Sequence, residues 1–422
     1  MTGAHPENFS PEIFRAPASA TTDIAIIGAG VIGLTIAKAL TDDGHDVTLI
    51  DPNPPGSGAS YGNAGTIADY AVMPVGTPDV LRALPSLLFN RNSPLSIRRA
   101  ALPALAPWLL RFAHQSLPAA ALRNAQVLGG LLADATPLWR DLVADLGMQN
   151  LTRHTGCLYL YDMPSAYRAA HADMTTRRSM GVTVDLLSPE ELHQLEPSLP
   201  PMHGAAFFPN AMTLTDPGKV MAALTAHLTV QHIQSRVTAL DRTPQGIHLT
   251  GPNITAHRVI IAAGAHSKTL ARMAGDRIPM DTERGYHAEW DIEPTLNRPA
   301  CPTSLGFYLC PLQGRLRAAG TVELGGLTAP PSPHRIAKLI EGARTIFPHL
   351  GEPNRTWMGF RPSLPDSLPV IGPSSGGPDI IHAFGHGHIG LTLAPLTARI
   401  VAALIAGKTP PVDLHPLRPT RF

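Results

Sequence analysis

The clearest hydrophobic pattern in this chain comes early. Asp23-Ile24-Ala25-Ile26-Ile27 is a short, partly β-branched apolar run, the pattern of a parallel strand buried on both faces. It passes into Gly28-Ala29-Gly30-Val31-Ile32-Gly33 and on into Leu34-Thr35-Ile36-Ala37-Lys38-Ala39-Leu40, an amphipathic helix start. A second apolar run, Val47-Thr48-Leu49-Ile50, closes on Asp51. Strand, glycine turn, helix and second strand are expected in that order.

Further along, a long helix is predicted over residues 125–146 with Gly147 as its stop. A strand at 156–161 and a helix over 165–180 follow. Ser188-Pro189-Glu190-Glu191 is a capping box with proline at the first helical position, so another helix starts there. Upstream, residues 74–125 carry Pro94, Pro103, Pro107 and Pro118, which predict broken helices.

From Asp216 the earlier pattern returns: a helix over 217–228, strands within 229–241 around Val237, and the buried run Arg258-Val259-Ile260-Ile261 ending in Ala262-Ala263-Gly264. Residues 279–328 are strand-rich with polar interruptions. A last strand, 380–384, leads through Gly385-His386-Gly387-His388-Ile389-Gly390 into a helix, with Pro395 tolerated only near its start. The fold class expected is α/β combined with α+β. A discontinuous nucleotide-binding domain takes residues 21–75, 205–275 and 355–422, and a second domain takes 76–204 and 276–354, after a flexible tail over 1–20.

Composition narrows the function classes. Lys and Arg number 33 against 32 Asp and Glu, a net charge of +1 that makes no electrostatic case for nucleic acid. Cys157, Cys301 and Cys310 have no C-x-x-C spacing, so neither a disulfide framework nor a metal site is indicated. No apolar run reaches the roughly 18 residues of a membrane span. The start of the chain lacks the basic and apolar regions of a secretion signal, so a cytoplasmic location is expected. Residues 97–112 combine Arg98, Arg99 and Arg111 with Leu105, Trp108 and Phe112. Packing against the protein itself is the preferred reading, and peripheral contact with the inner membrane the other.

The glycines have separate tasks. Gly28 permits the tight bend, Gly30 lets a pyrophosphate approach, and Gly33 lets the helix press on the sheet. The helix N-terminus then faces the phosphates, and Asp51 is placed to accept from a ribose 2′-hydroxyl. A plain βαβ turn is the alternative. In the loop 51–65, Ser60, Gly62, Asn63, Ala64 and Gly65 bring backbone donors to the rest of a dinucleotide, unless this is an ordinary surface loop. The glycine corner at 385–390 sets a second helix N-terminus toward a ligand. That suits a group gaining negative charge in the reaction, as reduced flavin does at its N1–C2=O edge and NAD does not. FAD is therefore expected.

The sequence resembles the D-amino-acid oxidase and dehydrogenase family of FAD enzymes over residues 23–410. It is most similar to the bacterial D-amino-acid dehydrogenase branch, which includes D-hydroxyproline dehydrogenases. The motifs that carry the resemblance are G-A-G-V-I-G, G-A-S-Y-G-N-A-G, R-G-Y-H, G-F-R-P-S-L-P-D-S-L-P-V-I-G and G-H-G-H-I-G-L-T. Asp51 stands where the family usually has Glu, and either carboxylate serves. The resemblance implies a glutathione-reductase-type FAD-binding Rossmann domain with an inserted antiparallel-sheet substrate domain. The expected cofactor-binding set is Gly28, Gly30, Val31, Ile32, Gly33, Asp51, Pro52, Ser60, Gly62, Asn63, Ala64, Gly65, Val237, Ala263, Gly264, Gly387, His388, Ile389, Gly390 and Thr392. Neither Tyr61-Gly62-Asn63 nor Met358-Gly359-Phe360 offers the cysteine or histidine of covalent attachment, so noncovalent FAD is expected.

Arg361, in a strand-like stretch ending in a turn, matches by resemblance the arginine that clamps an amino acid's carboxylate with two parallel hydrogen bonds; a surface or ion-pair arginine is the alternative. Tyr286 and Tyr308 are candidates to donate to the same carboxylate, or else core residues. His386 and His388 are the catalytic candidates, or passive loop residues. The implied activity is oxidative deamination of a D-amino acid, or of a D-hydroxyproline-like cyclic imino acid, by hydride transfer from the α-carbon to flavin N5. Electrons then pass to a quinone or an electron-transfer protein. Two alternatives stand: an oxidase of glycine, sarcosine or another small amine using O2, and a catalytically silent FAD-binding subunit of an amine-oxidising complex.

Overall fold

The apolar runs become the centre of a parallel sheet. In the computed structural model, which describes residues 20–82, 93 and 95–422, the strand Ala20–Ile27 lies between Val47–Ile50 and Ile254–Ile261. Gln231–Ile233 and Gly377–Phe384 extend the sheet on either side, all in parallel register. The tail up to residue 19 and the break expected at Pro94 lie outside the described residues. Both faces of the sheet are covered. Ile24, Ile26 and Ile260 pack with Leu34, Ile400 and Val401 of the helices Val31–Asp42 and Gly390–Ile405, while Ala25, Ile27, Val259 and Ile261 pack with Leu270 and Ile380. Double burial is why these runs show no polar alternation.

The second sheet runs in the order Arg355–Ser363, Asp281–Trp290, Arg315–Leu324, Phe307–Leu312, Ala300–Pro302, Cys157–Tyr161, Gly204–Phe208, Asp185–Leu187. It is mainly antiparallel, with parallel pairings only at Ala300–Pro302 beside Cys157–Tyr161 and Leu95–Ile97 beside Arg315–Leu324. Tyr286, Ala288 and Trp290 pack outward on Leu339, Ala343 and Ile346 of the helix Pro333–Ile346. Strand alternation therefore turns Gly285, His287 and Glu289 toward the first domain.

The segment limits shift. Gly204–Phe208 and Arg355–Ser363 belong to the second sheet, whereas the helices Pro118–Leu132 and Ala135–Asp145 bury their apolar faces in the first domain's core. Burial partners, not position along the chain, decide membership.

Several local expectations are also corrected. The helix expected over 125–146 is two, divided after Gly129 and Gly130, which are weak helix formers, so that Leu138, Trp139 and Val143 can reach Ile400 and Val401. Pro103 and Pro107 do not break their helix, Leu102–Gln115, because Pro103 sits in its first turn and the Trp108–Phe112 face is held by burial against Ile97 and Leu324. That apolar face is spent on the fold rather than offered to a membrane. No described helix is long and apolar enough to cross one. Val237 lies between the strands Gln231–Ile233 and Ala239–Thr243 rather than in one.

Pro395 lies well inside its helix, where its missing N–H deprives the Leu391 carbonyl of a helical donor. The Trp139 indole N–H donates to that carbonyl at 2.9 Å instead. The capping box forms as expected, Glu191 N–H donating to Ser188 Oγ at 3.2 Å and Ser188 N–H to Glu191 Oε2 at 2.8 Å.

Candidate active site

Between the two sheets lies a cavity of about 980 Å³. That is at the upper end of ligand pockets, large enough for a dinucleotide. Its near end is the first glycine turn. Gly28 has φ +114°, and a Cβ there would strike the Ala262 carbonyl. A Cβ at Gly33 would strike the Gly28 carbonyl, so both are required by the backbone itself. Gly30 differs: its φ of −77° suits any residue, and the nearest atom to an added Cβ is Ser60 Oγ at 3.3 Å. A side chain there would press on Ser60 Oγ and take space in the cavity. Ala29 N–H donates to Asp51 Oδ2 at 2.9 Å, and Val31 N–H, at the helix start, to Ser60 Oγ at 2.8 Å.

The second glycine corner opens onto the same cavity. Gly385 and Gly387 have φ of +84° and +54°, and Gly387 N–H donates to the Pro362 carbonyl at 2.8 Å, tying the corner to the strand Arg355–Ser363. Gly387, His388, Ile389 and Gly390 border the space, as do Gly28, Gly30, Val31, Ile32, Asp51, Pro52, Ser60, Gly62, Asn63, Ala64, Val237, Ala263 and Gly264. Three expected members lie behind the wall. Gly33 serves helix–sheet packing, Gly65 forms a turn at φ +68°, and Thr392 Oγ1 accepts from Ala68 N–H at 3.0 Å.

Arg361 borders the cavity half-buried, its Nη1 donating to the Thr321 carbonyl at 3.1 Å. Gly285 on the adjacent strand makes room for it, since a Cβ there would lie 2.5 Å from Nη2. Burial lowers the arginine's proton affinity, and Glu283 opposes that shift. Among the described residues Arg361 forms no ion pair.

Tyr308 faces the cavity, its hydroxyl 3.2 Å from that of Tyr159 and 3.4 Å from that of Tyr70. Burial pushes Tyr159 up to about 12 and raises the other two, so all three stay protonated.

Tyr286 is corrected. Although it borders the cavity, it points to the opposite face of its strand, where its hydroxyl donates to Glu323 Oε2 at 2.6 Å within the core under the helix Pro333–Ile346. His386 also borders the cavity, with its Nε2 engaged by Thr397 Oγ1 at 2.9 Å in the helix behind. His388 does face the cavity. Burial, and then Arg361, push it down to about 4, so it is neutral near pH 7 and a poor base.

The sequence reading missed Tyr70, Tyr159, Trp357 and a buried ion cluster. Glu289, fully buried, is paired with Arg317 at 2.6 Å, Arg355 at 3.0 Å and Arg315 at 3.3 Å. Arg317 in turn donates to the carbonyls of Tyr61 at 3.1 Å and Asn63 at 2.6 Å, fixing the loop that borders the cavity. Burial works against the Glu289 charge, but Arg317, His287 and Arg315 hold the carboxyl down at about 2. Trp357 stacks on His287 at 5.1 Å, and a Cβ at Gly62 or Gly359 would enter its ring. Period-2 alternation through 157–161 was the one signal for Tyr159; Tyr70 had none.

A glycine turn and acidic strand end on one sheet, roofed by a second sheet with a guanidinium in its wall, define a dinucleotide-binding oxidoreductase. The chain belongs to the DAO family of FAD dependent oxidoreductases, whose description matches residues 23–404. It is 35% identical to a D-amino-acid oxidase of Bradyrhizobium diazoefficiens, over 94% of this chain and 98% of that one. To a D-amino acid dehydrogenase of Dechloromonas aromatica it is 30% identical, over 94% and 99%. Among solved structures, glycine oxidase from Geobacillus kaustophilus matches with a TM-score of 0.76 at 23% identity, covering 95% of this chain and 99% of that chain, which shows the shared fold. The protein is thus an FAD-dependent enzyme. The space reserved at Gly30 and the two helix N-termini on one cavity fit that cofactor.

Proposed function

We propose that this enzyme oxidises a D-amino acid, or a cyclic imino acid of the D-hydroxyproline kind, at its α-carbon. The observation that carries the reading is Arg361, a guanidinium without an ion pair among the described residues, in the wall of the FAD cavity with Gly285 clearing space for it. When bound, FAD supplies the hydride-accepting chemistry. The Gly28 to Ile32 turn, Ser60 and Asp51 would hold its dinucleotide part, and the corner 387–390 its ring.

Arg361 takes the substrate carboxylate by two parallel hydrogen bonds and so orients the α-hydrogen. Tyr70, Tyr159 and Tyr308 wall the space with neutral hydroxyls. The substrate amine must be neutral to be oxidised. No cavity histidine with ordinary basicity takes its proton, so the ammonium sheds it to solvent on entering the site. The imine product hydrolyses to a 2-oxo acid and ammonia; a cyclic amine leaves as a cyclic imine.

The electron acceptor in this reading is a quinone or other carrier. Oxygen is a second reading, favoured by the relative named D-amino-acid oxidase. We also propose that FAD is held noncovalently, since Cys157, Cys301 and Cys310 are buried and none borders the cavity; acid precipitation should release all the flavin to the supernatant.

The central test is anaerobic mixing of the purified enzyme with D- and L-amino acids, D-hydroxyproline, glycine and sarcosine, followed by oxygen or an artificial dye. Bleaching of the flavin by D-amino acids is expected. Bleaching only by glycine, sarcosine or L-amino acids would overturn the reading, and peroxide on adding oxygen would select the oxidase form.

A further inference from the structure

We propose that Glu283 is the proton-linked counter-ion of Arg361: when a substrate carboxylate arrives at Arg361, the Glu283 carboxylate takes up one proton from solvent. This rests on the reading of Arg361 as the carboxylate site.

Glu283 and Arg361 stand directly opposite each other on the antiparallel strands Asp281–Trp290 and Arg355–Ser363. Glu283 is only 3% exposed. It borders a void of about 10 Å³ walled by Trp108, Phe112, Ile97 and Leu324, with room for one water at most.

The polar and charged groups around it are few. The strand Arg355–Ser363 offers Arg361 and the Ser363 hydroxyl. The helix Leu102–Gln115 presents Trp108, Leu109 and Phe112, and the Trp108 indole N–H is committed to the Ser363 carbonyl at 3.3 Å. Val75, Leu95 and Ile97 line the void with apolar side chains. On Arg315–Leu324 the neighbour is Leu324, while Glu323 is already paired with Arg284 and Arg98, each at 3.0 Å. His388, which faces Arg361, is neutral. Arg361 is therefore the one cation acting on Glu283 among the described residues. Burial raises the Glu283 carboxyl and Arg361 pulls the other way.

A substrate carboxylate is a second anion on that single cation. In a poorly hydrated site two carboxylates sharing one guanidinium do not both stay ionised, as with any close like-charged pair. The substrate's carboxylate makes the direct bidentate contact, so Glu283, facing an apolar void, is the group that protonates. The balance closes. The substrate ammonium releases one proton to solvent before oxidation, Glu283 gains one, and the loaded site holds one guanidinium and one carboxylate.

The experiment is titration calorimetry of the FAD-loaded enzyme with acetate, which has no amine, across roughly pH 6 to 9 in buffers of different ionisation heat. Proton uptake approaching one per acetate is expected within that window, with the apparent Kd weakening about tenfold per pH unit where uptake is complete. Glu283→Gln should bind acetate with no proton uptake and a flat pH dependence. Difference infrared on the unaltered enzyme gives a second reading that needs no variant: acetate labelled with carbon-13 should bring up an unlabelled protonated-carboxyl band. Absence of uptake and of the band, or uptake unchanged in Glu283→Gln, overturns the proposal. Arg361→Leu separates the two levels. If it binds acetate as tightly as the unaltered enzyme, the carboxylate-site reading fails; if it loses acetate while Glu283→Gln keeps its proton uptake, only the counter-ion role fails.

Discussion

Replacing Arg361 by leucine removes a guanidinium from the cavity wall at the candidate substrate end and alters no residue of either glycine corner. The side chain sits on the strand Arg355–Ser363 with its Nη1 on the Thr321 carbonyl at 3.1 Å. Losing one partner of a buried, hydrogen-bonded charge pair costs about 2 to 5 kcal/mol. That is roughly 30-fold to several thousand-fold in substrate Kd. Arg361→Lys keeps the charge but loses the fork, so its loss should fall between leucine and the unaltered enzyme. The assay is anaerobic stopped-flow reduction of the flavin against D-amino-acid concentration, which separates Kd from the limiting rate, with the flavin-to-protein ratio measured on the same samples. A leucine variant that reduces its flavin with unchanged Kd would refute the argument. So would one that emerges colourless, because Arg361 would then be part of the cofactor's support.

Three further outcomes follow from the same geometry. Gly30→Val should fold yet emerge depleted of FAD, because φ there suits a side chain and the added bulk fills cavity space beside Ser60 Oγ, whereas Gly33→Ala should lower the melting temperature because its Cβ meets the Gly28 carbonyl; absorbance and thermal unfolding distinguish them. Trp139→Phe should destabilise by about 1 to 3 kcal/mol in denaturant unfolding, since the Leu391 carbonyl loses the donor that replaces the N–H missing at Pro395. Glu289 is held at about 2, below its ordinary range, so its contribution is present at neutral pH and lost as pH falls toward about 2. That contribution is up to about 3 kcal/mol, and unfolding of Glu289→Gln should lack this part of the acid-side loss.

Much of the nucleotide-binding half was legible because its demands are local. The run 23–27, the glycine spacing and Asp51 state a strand, a bend and a strand end within about thirty residues, and the structure keeps all three. The helix ends with explicit caps, Ser188 and Gly147, were legible for the same reason. The helix over 125–146 was misjudged because its periodicity continues across a break that only packing on Ile400 and Val401 rewards. Pro395 was misplaced because the donor that makes it tolerable, Trp139, is far away in the chain.

The candidate substrate end shows the other side of this division. Sequence alone determined the strand, the glycine turn and the acidic strand end of residues 23–51, since the spacing that states them lies within one contiguous stretch. It also brought Arg361, Tyr286 and Tyr308 forward together. Only the tertiary structure decided that Tyr308 faces the cavity beside Tyr70 and Tyr159 while Tyr286 turns to Glu323 and the helix Pro333–Ile346. It alone set Glu283 opposite Arg361. Which side of a strand meets the cavity depends on register with partners far along the chain, and a shift of one residue exchanges the two faces.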